Sequence, residues 1–444
     1  MAAVWNKNIL AAGPRFNPFL ISLSAIRRKH CRVPVSSDIL PLQKTSDPAT
    51  AAEVVDLVQQ ARAATTPLYP IGGGTSLHFG LRAKTPGWGV TLSKLNRVVD
   101  FPARDMTITV EAGITLAELA QTLAAEGQRL PVDVPAADKA TVGGVIATNW
   151  NGPRRYGQGS LRDFVIGIEA VDGTGLLFHG GGRVVKNVAG YDFCKLLTGS
   201  LGTLGIITQV TFKVRPIPER SAWLACSLSS PKQAEAMLAA LQQSAVVPAA
   251  VELLAGPVWQ SQSALDELKL DPRGYALLVL LEGTAAEVLW MKDHLRREWR
   301  DAGVVNPLME DGCAAPWLQI IEFSADLDSP ITVQASVKPS GVLPFIEVCR
   351  QRDPNCSVLA HAGNGTVFVR FATFPDKGLG QLLLGDLQPA ASAQQGHVVI
   401  LNAPPGAEAT NQSYWGGEAP LALMTAVKRR FDPLNLLNRG RFVY

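Results

Sequence analysis

Apolar residues at Ala51, Val54, Val55, Val58 and Ala61 recur at helical spacing, which predicts a helix across residues 48–66. Thr45, Ser46 and Asp47 ahead of it offer N-cap oxygens. A short apolar run, residues 68–71, reads as a strand that flows into Gly72-Gly73-Gly74-Thr75-Ser76. Further strands are expected near 89–92 and 106–110, a second helix over 115–126 closed by Gly127, and a tightly packed helix start over 141–148. From Asn151 to Pro218, apolar runs at 164–171 and 204–214 alternate with glycine turns, and Pro216-Ile217-Pro218 ends the pattern. Beyond Ser221 glycine thins and Gln, Leu and Trp rise. Helices are expected at 232–243 and 285–301, with strands at 275–282 and 331–337. A polar, Pro/Gly-rich stretch at 402–414 precedes a final helix at 421–431 and a basic tail.

These patterns divide the chain into a basic segment (1–37), a glycine-rich domain (38–219), a second domain (220–401) and a returning C-terminal helix and tail (402–444). The fold class is α+β. At 444 residues there is ample material for more than one core. A net charge of +3 is too small and too dispersed for a nucleic-acid footprint. Six scattered cysteines, none in CxxC spacing, fit reduced thiols in the cytoplasm rather than a disulfide framework, zinc ribbon or iron–sulfur site. No apolar run is long enough to span a bilayer. Residues 1–37 carry six Lys and Arg and no acidic residue, a composition shared by disordered tails and targeting segments.

Glycine at such density lets backbone approach a large ligand closely, and a flavin dinucleotide is the ligand it suggests. The Gly72–Ser76 loop could cradle a pyrophosphate on successive amides, although a plain glycine hairpin has the same residues. It is neither a Walker loop nor a Rossmann fingerprint, because no G-x-G-x-x-G opens a helix. Gly143 and Gly144 stand at a helix start, where they serve either an anion or close helix–sheet packing. Arg154, Arg155, Arg162 and Asp163 group between glycine turns, as an anion clamp or a solvated ion pair. Lys186 and Asn187 follow three glycines and could stabilise negative charge on a reduced ring. His361 ends an apolar strand beside Gly363 and Gly365, a place where histidine serves catalysis or structure. No histidine has a partner at metal-ligand spacing, so no metal is expected, and no G-x-S-x-G elbow or Cys/His pair points to hydrolysis.

GPRR…GSLRDFVIG, GG-x-V-x-KNVAGYD, GS-x-G-x-LG and the terminal FDP…LN-x-GR together resemble the vanillyl-alcohol oxidase/p-cresol methylhydroxylase superfamily. Within it the chain resembles the FAD-binding (E) subunits of glycolate oxidases. The resemblance implies a two-part FAD-binding domain with a smaller α+β substrate, or cap, domain. Gly72, Gly73, Gly74, Thr75 and Ser76 would then hold the pyrophosphate. Pro131, Thr141, Gly143, Gly144 and Ala147 would line the flavin, while Gly199, Gly202, Gly205, Ile206 and Ile207 would meet the adenine–ribose side. Asn438 and Arg441 would close over the ring. Relatives with covalent flavin use a His directly after the glycines, where this chain has Thr75, so FAD would be non-covalent. The implied chemistry is hydride transfer from a small 2-hydroxy acid to FAD, with Arg154, Arg162, Lys186 and His361 as candidate catalytic residues. Electrons would pass to a second flavin subunit and an iron–sulfur subunit, through which peripheral contact with the inner membrane face would arise. Two departures stand out. The H-x-G-D-G-N-x-H motif of related catalytic subunits reads His361-Ala362-Gly363-Asn364-Gly365-Thr366-Val367-Phe368, and LNPGR reads LNRGR with Arg439 in place of proline.

Overall fold

The computed structural model describes residues 39–182, 190–260, 265, 271, 273–304, 308–311, 314–326, 328–404, 407, 415 and 420–442. The basic segment 1–37, Lys186 and Asn187, and most of the polar stretch 402–414 lie outside these residues.

The first helix, Ala51–Ala63, starts later than its apolar spacing suggests. Thr45 and Ser46 belong to a strand, Leu42–Ser46, and the cap is Thr50, whose hydroxyl accepts from the Glu53 amide at 3.2 Å. Val54, Val58 and Ala61 are its buried side. Three short parallel strands lie in the order Leu42–Ser46, Gly87–Thr91, Leu68–Ile71. Beside them stands an antiparallel five-stranded sheet, ordered Val98–Asp100, Thr107–Glu111, Ile206–Lys213, Val165–Val171, Leu177–Gly181. Helix Leu116–Ala125 begins with a capping box between Thr115 and Glu118 and is followed by Gly127 at φ 68°. These elements share one core, which includes Leu68, Val110, Leu119, Ile146, Phe164, Val210 and Leu437.

Residues from Arg220 onward build a second, wholly antiparallel sheet of eight strands. Its order is Leu308–Asp311, Arg220–Leu228, Tyr275–Gly283, Ala250–Ala255, Ser357–His361, Thr366–Phe371, Ile331–Ser336, His397–Asn402. The period-2 alternation of strands gives the sheet two unlike faces. Val367, Val369 and Phe371 point into the core shared with helices Pro231–Gln243, Ala285–Asp301 and Val342–Arg352. Phe368, between them, turns to the opposite face, where Phe79 and Trp150 of the glycine-rich half pack. The chain is α+β, with the cofactor-sized cleft described next at the edge where the halves meet.

The C-terminal helix, Leu421–Phe431, sends the chain back to the first half. Leu437 forms a parallel bridge to Leu68, the Leu68 amide donates to Leu436 O at 2.9 Å, and the Asn438 amide donates to Leu68 O at 2.8 Å. The tail thus extends the small parallel sheet by one strand-like contact.

Candidate functional site

One cleft encloses about 1140 Å³ and opens to solvent. Its walls are the loop after strand Leu68–Ile71, helix Val142–Thr148, the turn ahead of strand Ile206–Lys213, and the C-terminal tail. Gly72, Gly73, Gly74, Thr75 and Ser76 all line it, with Thr141, Gly143, Gly144, Ala147, Gly202, Gly205, Ile206, Ile207, Asn438 and Arg441. The structure therefore gathers fifteen residues named from the sequence, separated by up to several hundred positions, around one space. Pro131 and Gly199 are not among its lining residues.

The polar inventory of the cleft suits an anionic, hydroxyl-bearing ligand. None of the amides of Gly73, Gly74, Thr75 and Ser76 donates to an acceptor among the described residues. A run of four unpaired N–H groups in a loop is an anion-binding concavity. The Thr141 hydroxyl, in a residue only 6% exposed, is buried without a partner. It stands against the loop, since a Cβ on Gly72 would come within 2.2 Å of it. Gly73 is as constrained, because its Cβ would fall 1.6 Å from the Lys139 carbonyl. The amide run and the orphaned hydroxyl fit a nucleotide pyrophosphate in a cleft of this size. Gly143 plays a different part. Its amide donates to Ala112 O at 2.7 Å, and its Cβ would stand 2.9 Å from that of Ala112. Close helix–sheet packing, rather than anion binding, accounts for it.

The tail locks this cleft from the far side. Arg441, 5% exposed, donates through one Nη to the carbonyls of Leu77 (2.5 Å) and Phe79 (2.8 Å). Asn438, at φ 47°, donates from Nδ2 to Leu201 O at 2.5 Å. Lys428 is buried, and its ammonium donates to Thr203 O, Leu437 O and the Asp432 carboxylate. Burial pulls the Lys428 ammonium below its usual range, with Asp432 opposing. His78 lines the cleft a few residues past the glycines, and burial first, then the Arg441 charge, hold it down at about 4.

The candidate catalytic residues do not converge. Arg154 is 2% exposed and bonded to the Asp133 carboxylate, with Nε on Glu282 at 2.8 Å. Arg129 binds the other oxygen of Glu282 at 2.6 Å, and the Arg154 guanidinium lies 5.2 Å from the Trp317 ring. Burial alone would raise the Glu282 carboxyl, but Arg154 and Arg129 outweigh it and hold it at about 2. This cluster bolts the glycine-rich half to the second sheet. Arg162 is exposed and outside the cleft, while its neighbour Asp163 bonds the Ser160 amide and hydroxyl, so the expected Arg–Asp ion pair is a capping box instead. Lys186 lies outside the described residues. His361 lines a second, small cavity of about 200 Å³, with Asp133, Trp150, Ser324 and Phe368. Its Nδ1 meets Glu252 Oε2 at 2.6 Å, and the two residues face each other across paired strands.

Sequence reasoning missed Glu252, His78 and Trp150. Glu252 is the lone acidic residue in the apolar run Ala250–Ala255, and that isolation was the available signal. His78 is close enough to the glycines to have been read with them. Trp150 lines both cavities, and nothing in its neighbours marks it. Among the described residues, no three His, Cys, Asp or Glu side chains come together as metal ligands, and no helix is long and apolar enough to cross a membrane.

Residues 44–181 match the FAD binding domain family, and residues 410–442 match the C-terminal domain of FAD linked oxidases. The chain is 37% identical over 183 residues to a D-2-hydroxyglutarate dehydrogenase of Xanthomonas citri, covering 41% of this chain and 39% of that one. It is 37% identical over 179 residues to the glycolate oxidase subunit GlcE of Escherichia coli, covering 40% and 50%. An uncharacterised FAD-linked oxidoreductase of Mycobacterium tuberculosis matches at 26% over 88% of this chain and 89% of its own. The chain spans half or less of the first two relatives. Alkyldihydroxyacetonephosphate synthase has the same fold, with a TM-score of 0.64 at 17% identity over 89% of this chain and 76% of that one. The cofactor is FAD.

Proposed function

We propose that this member of the FAD-linked oxidase superfamily is a flavoprotein subunit of a short-chain 2-hydroxy-acid oxidase or dehydrogenase. The observation that carries the reading is the run of unpaired amides from Gly73 to Ser76 facing the orphaned Thr141 hydroxyl. Those groups would hold the pyrophosphate, Ala147 and the Gly143–Gly144 turn would lie along the flavin, and Ile206, Ile207 and Gly205 would face the adenosine. Bound there non-covalently, FAD supplies a two-electron acceptor for a carbinol carbon. The protein orients it, excludes water and handles the substrate's charge. Lys186 is the proposed cation near the ring. Arg154 is committed to Asp133 and Glu282, and Arg162 stands away from the cleft. Glycolate-sized acids are the proposed substrates, on the strength of relatives named for glycolate and 2-hydroxyglutarate. A second flavin subunit and an iron–sulfur subunit are the proposed electron-accepting partners, in the cytoplasm or at the inner membrane face.

A second reading has an observation behind it. Phe368 stands where the related catalytic subunits place the second histidine of H-x-G-D-G-N-x-H, and it packs edge-on against His361 at 5.3 Å. A subunit that holds FAD and leaves substrate chemistry to its partner would tolerate that replacement. The absorbance spectrum of the purified chain, before and after anaerobic glycolate, separates the two. Flavin bands bleached by glycolate support substrate chemistry here. Bands that persist assign it to the partner, and no bands after adding FAD would overturn the cofactor assignment.

A further inference from the structure

The charge of a small acid calls for a withdrawn cation, and neither Arg154 nor Arg162 lines the cleft. Arg370, on strand Thr366–Phe371, is differently placed and only 8% exposed. Val367, Val369 and Phe371 enter the second core, so strand alternation turns Arg370 to the same face as Phe368. Its Nε donates to Ser329 Oγ at 3.0 Å, and Nη1 lies 3.0 Å from Asp326, whose side chain is 36% exposed. Nη2 has no partner among the described residues. A guanidinium withdrawn this far from water normally gives more of its N–H groups to protein acceptors.

A second unmet group stands beside it. Thr332, on strand Ile331–Ser336, is directly opposite Arg370, and Asn402 is opposite Thr332 on the next strand. Thr332 is 1% exposed, and its hydroxyl is buried without a partner. Ile331 and Val333 enter the second core, which leaves Thr332 on the face that Arg370 occupies. Directly opposed residues hold their Cβ atoms about 5 Å apart, so one two-oxygen acceptor can meet both side chains. A buried hydroxyl without an acceptor is costly, and an acceptor brought by a ligand removes that cost. The place adjoins the cleft. Ala325, which precedes Asp326, lines it, and so does Trp150, which stacks on Phe368 with ring centres 6.3 Å apart. Arg370 is two residues beyond Phe368, about 7 Å along the strand.

We propose that Arg370 and Thr332 form the seat for the carboxylate of the 2-hydroxy acid. The inference rests on the hydroxy-acid reading above and gives that reading its charge selectivity. Nη2 and the Thr332 hydroxyl each donate to one carboxylate oxygen. Phe323 supports the guanidinium, its ring 5.3 Å away. Ser329, which holds Nε, is fixed in turn, since its carbonyl accepts from Asn402 Nδ2 at 3.0 Å. Asp326 sets the charge the seat accepts. With Asp326 in place the arginine is already balanced, so the seat takes a singly charged carboxylate in preference to a phosphate dianion. A flat two-oxygen group also matches the arginine fork.

The test uses the FAD-loaded full-length chain, with pyruvate as the probe, a singly charged 2-oxo acid that does not reduce flavin. Flavin absorbance and melting temperature establish that the Arg370→Gln, Arg370→Lys, Thr332→Val and Asp326→Asn variants are folded and loaded. Pyruvate binding is read by calorimetry and by the shift of the flavin bands. Arg370→Gln is expected to weaken it on the order of 10–100-fold, and Arg370→Lys less, because charge is kept and the fork lost. Thr332→Val is expected to weaken it as well. Asp326→Asn is expected to tighten it, which the loss of a merely structural ion pair would not do. With a hydroxy acid that reduces the flavin, Arg370→Gln raises KM rather than lowering the limiting rate. Unchanged pyruvate affinity in folded Arg370→Gln overturns the seat. Should that variant not fold, unchanged affinity in both Arg370→Lys and Thr332→Val overturns it. A parent that binds inorganic phosphate but not pyruvate, or neither, overturns it too. Arg370-dependent pyruvate binding in a parent that no 2-hydroxy acid reduces overturns the hydroxy-acid reading alone and keeps the seat.

Discussion

Lys428 and Asp432 meet at 2.6 Å, one helical turn apart and both withdrawn from solvent. The carboxylate also accepts the amides of Leu436 (2.9 Å) and Leu437 (2.7 Å), so a single pair fixes the bend that returns the tail to Leu68. Lys428→Met leaves the Asp432 charge buried with its main partner gone. The expected loss is about 3–5 kcal/mol of unfolding free energy, with FAD released at a lower temperature than in the parent. Denaturant unfolding with flavin fluorescence measures both. Unchanged stability would mean the amides alone hold Asp432.

Glu282 provides an acid-sensitive joint between the halves. Its folded value of about 2 lies below the ordinary 4.5. The stability it contributes is therefore present in full above pH 4.5 and is lost as pH falls toward 2. Roughly 3 kcal/mol is at stake. Glu282→Gln should flatten the stability–pH curve in that window while lowering stability at neutral pH. A variant whose acid limb overlays the parent's would refute this.

His78 acts in a separate window and in the same direction, stability again falling with pH. It is held at about 4 against an ordinary 6.5, so the unfolded chain binds the extra proton first. The folded state is unaffected above pH 6.5 and loses about 3 kcal/mol as pH falls to 4. His78→Asn should therefore make the apo protein more resistant to acid across that window, read by melting temperature at each pH. Added FAD should reduce the difference, because the pyrophosphate charge favours a protonated neighbour.

Gly73→Ala tests the loop. A methyl placed 1.6 Å from the Lys139 carbonyl must displace either the loop or the 139–141 segment. The expected outcome is a loss of flavin affinity on the order of tenfold or more, with the second sheet still folded by circular dichroism. Full flavin content would show that the four amides are not the pyrophosphate site.

The sequence made the first half legible because its glycines and caps act locally. Gly127 ends a helix, the 72–76 glycines follow a strand, and the Thr115/Glu118 capping box marks its own helix. The second half was harder to read. Strands Arg220–Leu228, Ala250–Ala255 and Thr366–Phe371 are buried on both faces, so the alternation that betrays a strand is replaced by a continuous apolar run. At the site, the loops that line the cleft could be named because their glycines sit in contiguous residues. The role of Arg154 could not, since Glu282 lies 128 positions away. Nor could the Glu252–His361 pair, which exists only once two strands 109 residues apart are in register.

Arg441 reaches Leu77 across 364 residues of chain. The far wall of the cleft is thus built by residues remote in sequence from the loop it closes upon, so the cleft is complete only once the chain has passed through the second sheet and doubled back.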